Sequence, residues 1–248
     1  MSQPSSKTER CLNCGAAPAE NAGFCAVCGQ RTDVPPKLTM RDIGHDLVHA
    51  ITHADHSIFA LIRAMLTKPG HVARDYADGK RKRHFGPFAF LLIAVGFASA
   101  IVLMSGVQWF TPFHRDAAGE AMQRHVNLVI LAQAPLLAAF SALLFRGDRR
   151  NFAEHLVLAA YTSGFHALFL ALIETPLLAL TRADTANPWL ASGYFGVWIL
   201  YFAFACSQFY RGNRLWSFAR GLGAAILSQA AVIALVMGVL FSMTRLHD

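Results

Sequence analysis

Apolar residues gather along this chain in five long runs, all of them after residue 85. The first, Gly86 to Val107, carries no charge, and the others cover 126–145, 155–180, 189–209 and 222–243, separated by short stretches holding Arg, Asp, Gly or Pro. Each run is close to or above the roughly 20 residues a helix needs to cross a bilayer. A water-soluble bundle would show a polar stripe of helical period inside such runs, and these show none. The pattern therefore predicts an all-α integral membrane protein, a bundle of five transmembrane helices over residues 86–248.

Before the first run the rhythm changes. From Leu38 to Met65, Ile43, Leu47, Ile51, Ala54, Ile58, Leu61 and Met65 recur at steps of four or three. At 100° per residue they share one stripe about 80° wide, the signature of an amphipathic helix. His45, His49, His53 and His56 keep the same rhythm on the opposite face, with Asp42 and Asp46. They fit three readings: a solvated polar face, a second metal or proton-sensing site built on the i,i+4 pairs, or a catalytic metal site. His45-Asp46-Leu47-Val48-His49 has the outline of HExxH, but its shorter acid reaches less far toward a metal-bound water. Pro69-Gly70 then reads as a helix stop and turn, 71–78 as a short second helix, and Gly79 as a further bend.

Composition strengthens the membrane reading. Of 248 residues only 15% are charged and 54% are apolar, against roughly 25% and 45–50% in soluble proteins. The net charge of +7 is unevenly placed. Arg74 and Lys80-Arg81-Lys82-Arg83 precede the first run, Arg146, Arg149 and Arg150 follow the second, and Arg211, Arg214 and Arg220 follow the fourth. The alternate loops hold only Arg115 and Arg124, then Arg182, then Arg245. Basic loops stay in the cytoplasm, which predicts a cytoplasmic N-terminus and an external, periplasmic or extracellular, C-terminus. Trp109 and Trp189 are then expected at the outer boundary and Trp216 at the inner one. The polar start MSQPSSKTER is no signal peptide, so the first 85 residues are expected in the cytosol. Lys80, Arg81, Lys82 and Arg83 serve either topology alone or anionic lipid headgroups as well.

Four of the five cysteines stand in two CxxC pairs, Cys11/Cys14 and Cys25/Cys28, ten residues apart and each followed by glycine. Two residues between thiolates let both sulfurs wrap one ion, and a reducing cytosol favours metal over disulfides. The expectation is one structural zinc holding a small ribbon over residues 1–33, where too few apolar residues exist to form a core without metal. Four thiolates leave no open coordination position, so the ribbon is either a docking surface or a folded cap. Nucleic acid is a poor partner, because the basic residues are pinned at membrane level without interleaved aromatics. Residues 34–85 form the linker, His-bearing helix and juxtamembrane segment. Cys206 reads as a small core residue.

Polar groups within the spans are few. Glu174 precedes Thr175-Pro176, His166 lies eight residues earlier, and Gln133 stands two residues before Pro135. Pro176 should loosen the helix near residue 172. The three form either a proton or substrate path or, more simply, an interfacial acid and packing contacts between helices. No repeat divides the spans into transporter halves, and no phosphate-binding or nucleophile-elbow motif occurs.

The order Cys11-x-x-Cys14-Gly15, Phe24-Cys25-x-x-Cys28-Gly29-Gln30, the His-bearing helix, Leu66-Thr67-Lys68-Pro69-Gly70, Tyr76 and Gly79-Lys80-Arg81-Lys82-Arg83-His84-Phe85-x-Pro87 resembles a large bacterial family of integral-membrane proteins known only as a domain of unknown function, with a short N-terminal zinc ribbon. The resemblance covers residues 11 to 92 and implies a bacterial inner-membrane location, without an activity. The leading expectation is a non-enzymatic protein that presents its ribbon or amphipathic helix to a protein partner, with membrane lipids around the bundle. Second comes a small proton-coupled transporter or permease-like module centred on Glu174, and third a metal-dependent membrane enzyme using the histidines. Oligomeric state is not encoded in any pattern found.

Overall fold

The computed structural model describes residues 10–19, 22–33, 38–40, 42, 57–107, 124–181 and 188–245. Among them the fold is helical, apart from one isolated antiparallel bridge between Phe24 and Arg31 in the cysteine module. Helix α1 spans Ser57–Thr67 and α2 spans Pro69–Ala77, followed by a 3₁₀ turn at Arg81–Arg83. Then come α3 (Pro87–Ser105), α4 (Val126–Leu144) and α5 (Phe152–Phe169). A π turn, Leu170–Glu174, joins α5 to α6 (Thr175–Thr181), and α7 (Pro188–Phe209) and α8 (Arg214–Arg245) complete the chain.

Among the described residues four stretches are long and apolar enough to cross a membrane: Arg81–Ser105, Val126–Leu144, Phe152–Leu180 and Arg214–Val239. The fifth expected span is also helical, as α7, but its described apolar part is the shorter Phe195–Phe209.

Local chemistry explains the helix ends. Pro87 sits in the first turn of α3, where its missing N–H costs nothing, and Gly106 closes that helix at φ +70°. Asn151 and Glu154 form a reciprocal capping box at the start of α5: Glu154 N donates to Asn151 Oδ1 at 3.0 Å, and Asn151 N donates to Glu154 Oε2 at 2.9 Å. Asn213 Oδ1 accepts from Leu215 N and Trp216 N, so α8 begins at Arg214. This corrects the expectation of a span starting at 222 after a loop. Arg214 and Arg220 lie in the first turns of a helix that starts well before its apolar stretch.

The π turn falls where Pro176 was expected to loosen the helix. Proline cannot donate to the carbonyl four residues back, and its ring crowds that turn; one extra residue in the turn relieves both.

Helix α5 is the centre. The most apolar part of the stretch it opens, Phe152–Leu180, is 67% buried inside the fold, against 22% for Arg214–Val239, and α2, α3, α4 and α7 all pack on α5. Phe90, Leu137, Leu158, Tyr161, Phe202 and Phe209 are fully enclosed. Outward faces carry Leu92, Phe97, Leu128, Leu200, Ile226 and Ile233, all exposed. Apolar side chains thus point both inward and outward, which is why the runs lack a polar stripe. Cys206 is buried in the α7–α8 contact, facing Gly221, as expected of a small core residue.

The stripe residues Ile58, Leu61 and Met65 of α1 face the core, as the periodicity required. The Pro69-Gly70 pair is not a turn, however. Only Lys68 separates α1 from α2, Pro69 opens α2, and Gly70 lies inside it. A β-carbon on Gly70 would meet the carbonyl of Ala205 and the backbone nitrogen of Phe209, so glycine is needed there for close helix approach. The corner is fastened from α7. Gly70 N donates to Gln208 Oε1 at 3.0 Å, Gln208 Nε2 donates to Thr67 O at 3.2 Å, and Tyr201 OH donates to Met65 O at 2.9 Å. In return, Arg74 Nε donates to Phe209 O at 2.8 Å, at the end of α7, and Arg74 Nη2 to Tyr210 O at 3.1 Å, just beyond it.

Candidate metal centre and its seat

Each CxxC pair folds as a tight knuckle. Gly15 N donates to Cys11 O and Gly29 N to Cys25 O, both at 2.8 Å, and the two glycines take φ +77° and +69°, conformations that a side chain would strain. Both first cysteines close the loop in the same way: Cys11 N donates to Ala16 O and Cys25 N to Gln30 O. The four sulfurs Cys11, Cys14, Cys25 and Cys28 converge within 4.8 Å of one another, with Cys11–Cys28 and Cys14–Cys25 both at 3.6 Å. This group could hold a metal ion.

The local field favours thiolate at two of the four. Backbone N–H groups of Cys28 and Val27 hold the Cys25 thiol below its ordinary value, and the Asn13 side chain with the Gln30 amide brings Cys28 down to about 6. Donors aimed at sulfur are what a thiolate ligand requires.

The ribbon is seated on the juxtamembrane segment. Gln30, only 4% exposed, donates from Nε2 to Gly79 O at 2.9 Å and accepts at Oε1 from Lys82 N at 3.2 Å. The Leu12 side chain lies against Gly79, whose φ of +94° makes the expected bend. Sequence reasoning did not single out Gln30 as a functional residue; its partners lie 49 and 52 residues away, beyond any local pattern.

Below that seat, Asp75 organises the basic turn. Lys80 Nζ lies 2.8 Å from Asp75 Oδ1, Arg83 Nη1 3.3 Å from Oδ2, and His84 Nε2 3.6 Å from Oδ2. Burial works against the charge, yet the bond from Lys80 and the neighbouring cations hold the Asp75 carboxyl below the usual carboxylate range. Lys80 and Arg83 are thus internally engaged, while Lys82 gives its backbone N–H to Gln30.

The three basic loops meet at this end of the bundle. Arg150 Nη2 lies 3.1 Å from Asp78 Oδ1, its guanidinium stands 4.3 Å from the Phe209 ring centre, and Arg211 reaches Asp78 Oδ2 at 3.5 Å. Asn151 Nδ2 donates to Leu38 O at 2.8 Å. His155 Nδ1 shares a 2.6 Å hydrogen bond with the Tyr210 hydroxyl, and Tyr210 stacks on Phe145 at 3.5 Å.

The polar residues of the spans are dispersed. Gln133 Nε2 donates to Gln229 Oε1 at 3.3 Å, joining α4 to α8. His166 stacks on Trp198 at 4.2 Å and lines an apolar cavity of about 360 Å³ between α5 and α7, lined also by Ile62 and Leu66 of α1. Neither Gln133 nor Glu174 lines that cavity; Glu174 ends the π turn. His45, His49, His53 and His56 lie outside the described residues, as do Asp46 and Trp109.

No curated protein and no solved structure matches the chain. Residues 55–98, which take in α1, α2, the basic turn and the first half of α3, match the model of a family described as protein of unknown function, DUF3667, so the similarity to that family lies in this corner and its entry into the bundle.

Proposed function

We propose that the chain is a non-enzymatic protein of the bacterial inner membrane, in which a five-span bundle holds a structural zinc ribbon at the cytoplasmic surface as a docking platform for a protein partner. The observation that carries this reading is the seat: Gln30 bonds both Gly79 and Lys82, so the ribbon has a fixed stance on the membrane-entry segment. A merely capping ribbon needs no such anchor. Phe24 and Val27, 62% and 73% exposed, stand on the same ribbon as apolar contacts for a partner.

Zinc suits the four thiols. Bonds of about 2.3 Å in a tetrahedron separate sulfurs by about 3.8 Å, close to the 3.6 Å found between two of the pairs. With all four positions filled by sulfur, the ion would fold the ribbon and leave no place for substrate. The clustering of three basic loops at one end supports a cytoplasmic position for that end, and α7 running between α6 and α8 supports a fifth crossing.

The test is purification in mild detergent of the wild-type chain and a Phe24→Ser/Val27→Ser variant. A protein that co-purifies with the first and not the second, at unchanged metal content, is the expected result; identical companions in both overturn the docking role.

The transporter reading keeps one observation, the π turn that ends at Glu174, since such turns gather at functional sites. On that reading Glu174→Gln abolishes a proton-dependent flux, and unchanged flux in that variant removes it.

A further inference from the structure

A second cavity, of about 650 Å³, opens where the loops before α5 and before α8 face one another. Its floor is aromatic, with buried Tyr210 stacked on Phe145. Its wall is Arg150, almost wholly enclosed and engaged by Asp78 and Glu154. Arg211, also on the rim, is turned to Asp78.

Two further arginines line the space under different conditions. Arg149 is exposed, and Arg220 lies over the rings of Trp216 and Phe145, at 5.4 and 6.0 Å. Among the described residues no carboxylate forms an ion pair with either. Three acids line the same cavity: Asp78 and Glu154 already face Arg150, and among the described residues Asp148 forms no ion pair with an arginine. Two guanidiniums are therefore available to an incoming anion, and guanidinium is the side chain best matched to phosphate oxygens.

The surroundings select the kind of anion. Leu215 and Trp216, beside the cavity, are 77% and 62% exposed, and α8 continues from them into an apolar stretch that faces largely outward. A soluble phosphate compound has no use for such a border. A phospholipid does: its chains lie along α8 while its headgroup enters the cavity, with Trp216 at the depth where such rings settle.

We propose that this cavity is a binding site for the headgroup of an anionic phospholipid, held through its phosphate by Arg149 and Arg220. It is separate from the basic turn, where Lys80 and Arg83 are tied to Asp75. The proposal does not depend on the ribbon's role.

The experiment is native mass spectrometry of the full chain from mild detergent, after incubation with phosphatidylglycerol, cardiolipin or phosphatidylcholine, for wild type, Arg149→Gln/Arg220→Gln and Lys82→Gln/Arg83→Gln. The expected result is retention of the anionic lipids over phosphatidylcholine, reduced about 30-fold in the first variant and kept in the second. Equal retention of all three lipids by wild type overturns it, as does an equal loss in the Lys82→Gln/Arg83→Gln chain. Should the double variant fail to fold, Arg149→Gln alone, at an exposed side chain, carries the test with a loss of about fivefold. Inorganic phosphate that displaces the lipid at equal concentration would assign the site to soluble phosphates and overturn the lipid reading.

Discussion

In the bundle, Phe90, Tyr161 and Phe202 are enclosed by apolar side chains drawn from four or more helices; in the ribbon the enclosed side chains include Cys11 and Cys25, which have almost nothing apolar behind them. Phe24 and Val27, the larger hydrophobics of the ribbon, point outward. One region is thus held by packing and the other by four sulfurs and a few turns. The two also answer to different solvents. The bundle keeps apolar residues on its outer surface and is at home in lipid, while a ribbon of that size in water has no core to fall back on. They meet through Gln30, Leu12 and Gly79, where Gln30 bonds Gly79 and Lys82.

The strongest way to break this comparison is to remove the cysteine group that could hold a metal. Cys25→Ala/Cys28→Ala should lose the bound ion and about 10 kcal/mol of ribbon stability, leaving the ribbon open to protease while the helical circular dichroism of the bundle is unchanged. A metal-to-protein ratio measured beside both readouts checks it, and loss of helix signal would show that the two regions fold as one. A ratio above one in wild type would direct attention to His45, His49, His53 and His56.

Next in size is Gly70→Ala. Its β-carbon would press on the Ala205 carbonyl and the Phe209 nitrogen, both backbone, so α2 must move away from α7. A loss of about 3 kcal/mol is expected in thermal unfolding in detergent, with metal content preserved. This sharpens the comparison from the opposite side, by damaging the bundle and sparing the ribbon.

Gln30→Ala addresses the joint. It removes two hydrogen bonds and leaves Gly79 O and Lys82 N without their partner, at about 2 kcal/mol. Hydrogen exchange should quicken at residues 79–83, with the metal still bound; unaltered exchange there would mean that Leu12 alone keeps the ribbon in place.

The smallest effect concerns pH. The Asp75 carboxyl is held below the usual range in the fold, so its contribution is complete above the unfolded value near pH 4 and is lost as pH falls below it. Asp75→Asn should remove that acid dependence at a cost below about 1 kcal/mol, read from unfolding curves between pH 3 and 6.

Much of this was legible in residue order. The cysteine spacing located the group that could hold a metal, because two residues between thiols let both sulfurs reach one ion. Ile58, Leu61 and Met65 announced the buried face of α1, and Pro176 announced an irregular turn. The start of α8 was misread because hydropathy sees the apolar stretch and not Asn213, whose side chain lets the helix begin two turns earlier. Gly70 was taken for a turn signal because glycine after proline usually marks one; only the neighbouring α7 shows that the missing β-carbon serves close approach. Gln133 carried no sign of Gln229, nor Arg150 of Asp78, since each pair joins segments far apart in the chain.

Periodicity, hydropathy and ligand spacing act over a few residues, and the chain by itself therefore determined its helices, their solvent and the metal-binding group. Which loops converge, which arginines are neutralised and which remain available, and where the ribbon rests depend on contacts between residues dozens to more than a hundred positions apart. Those were decided only when the helices packed, because burial and charge pairing are properties of neighbours in space.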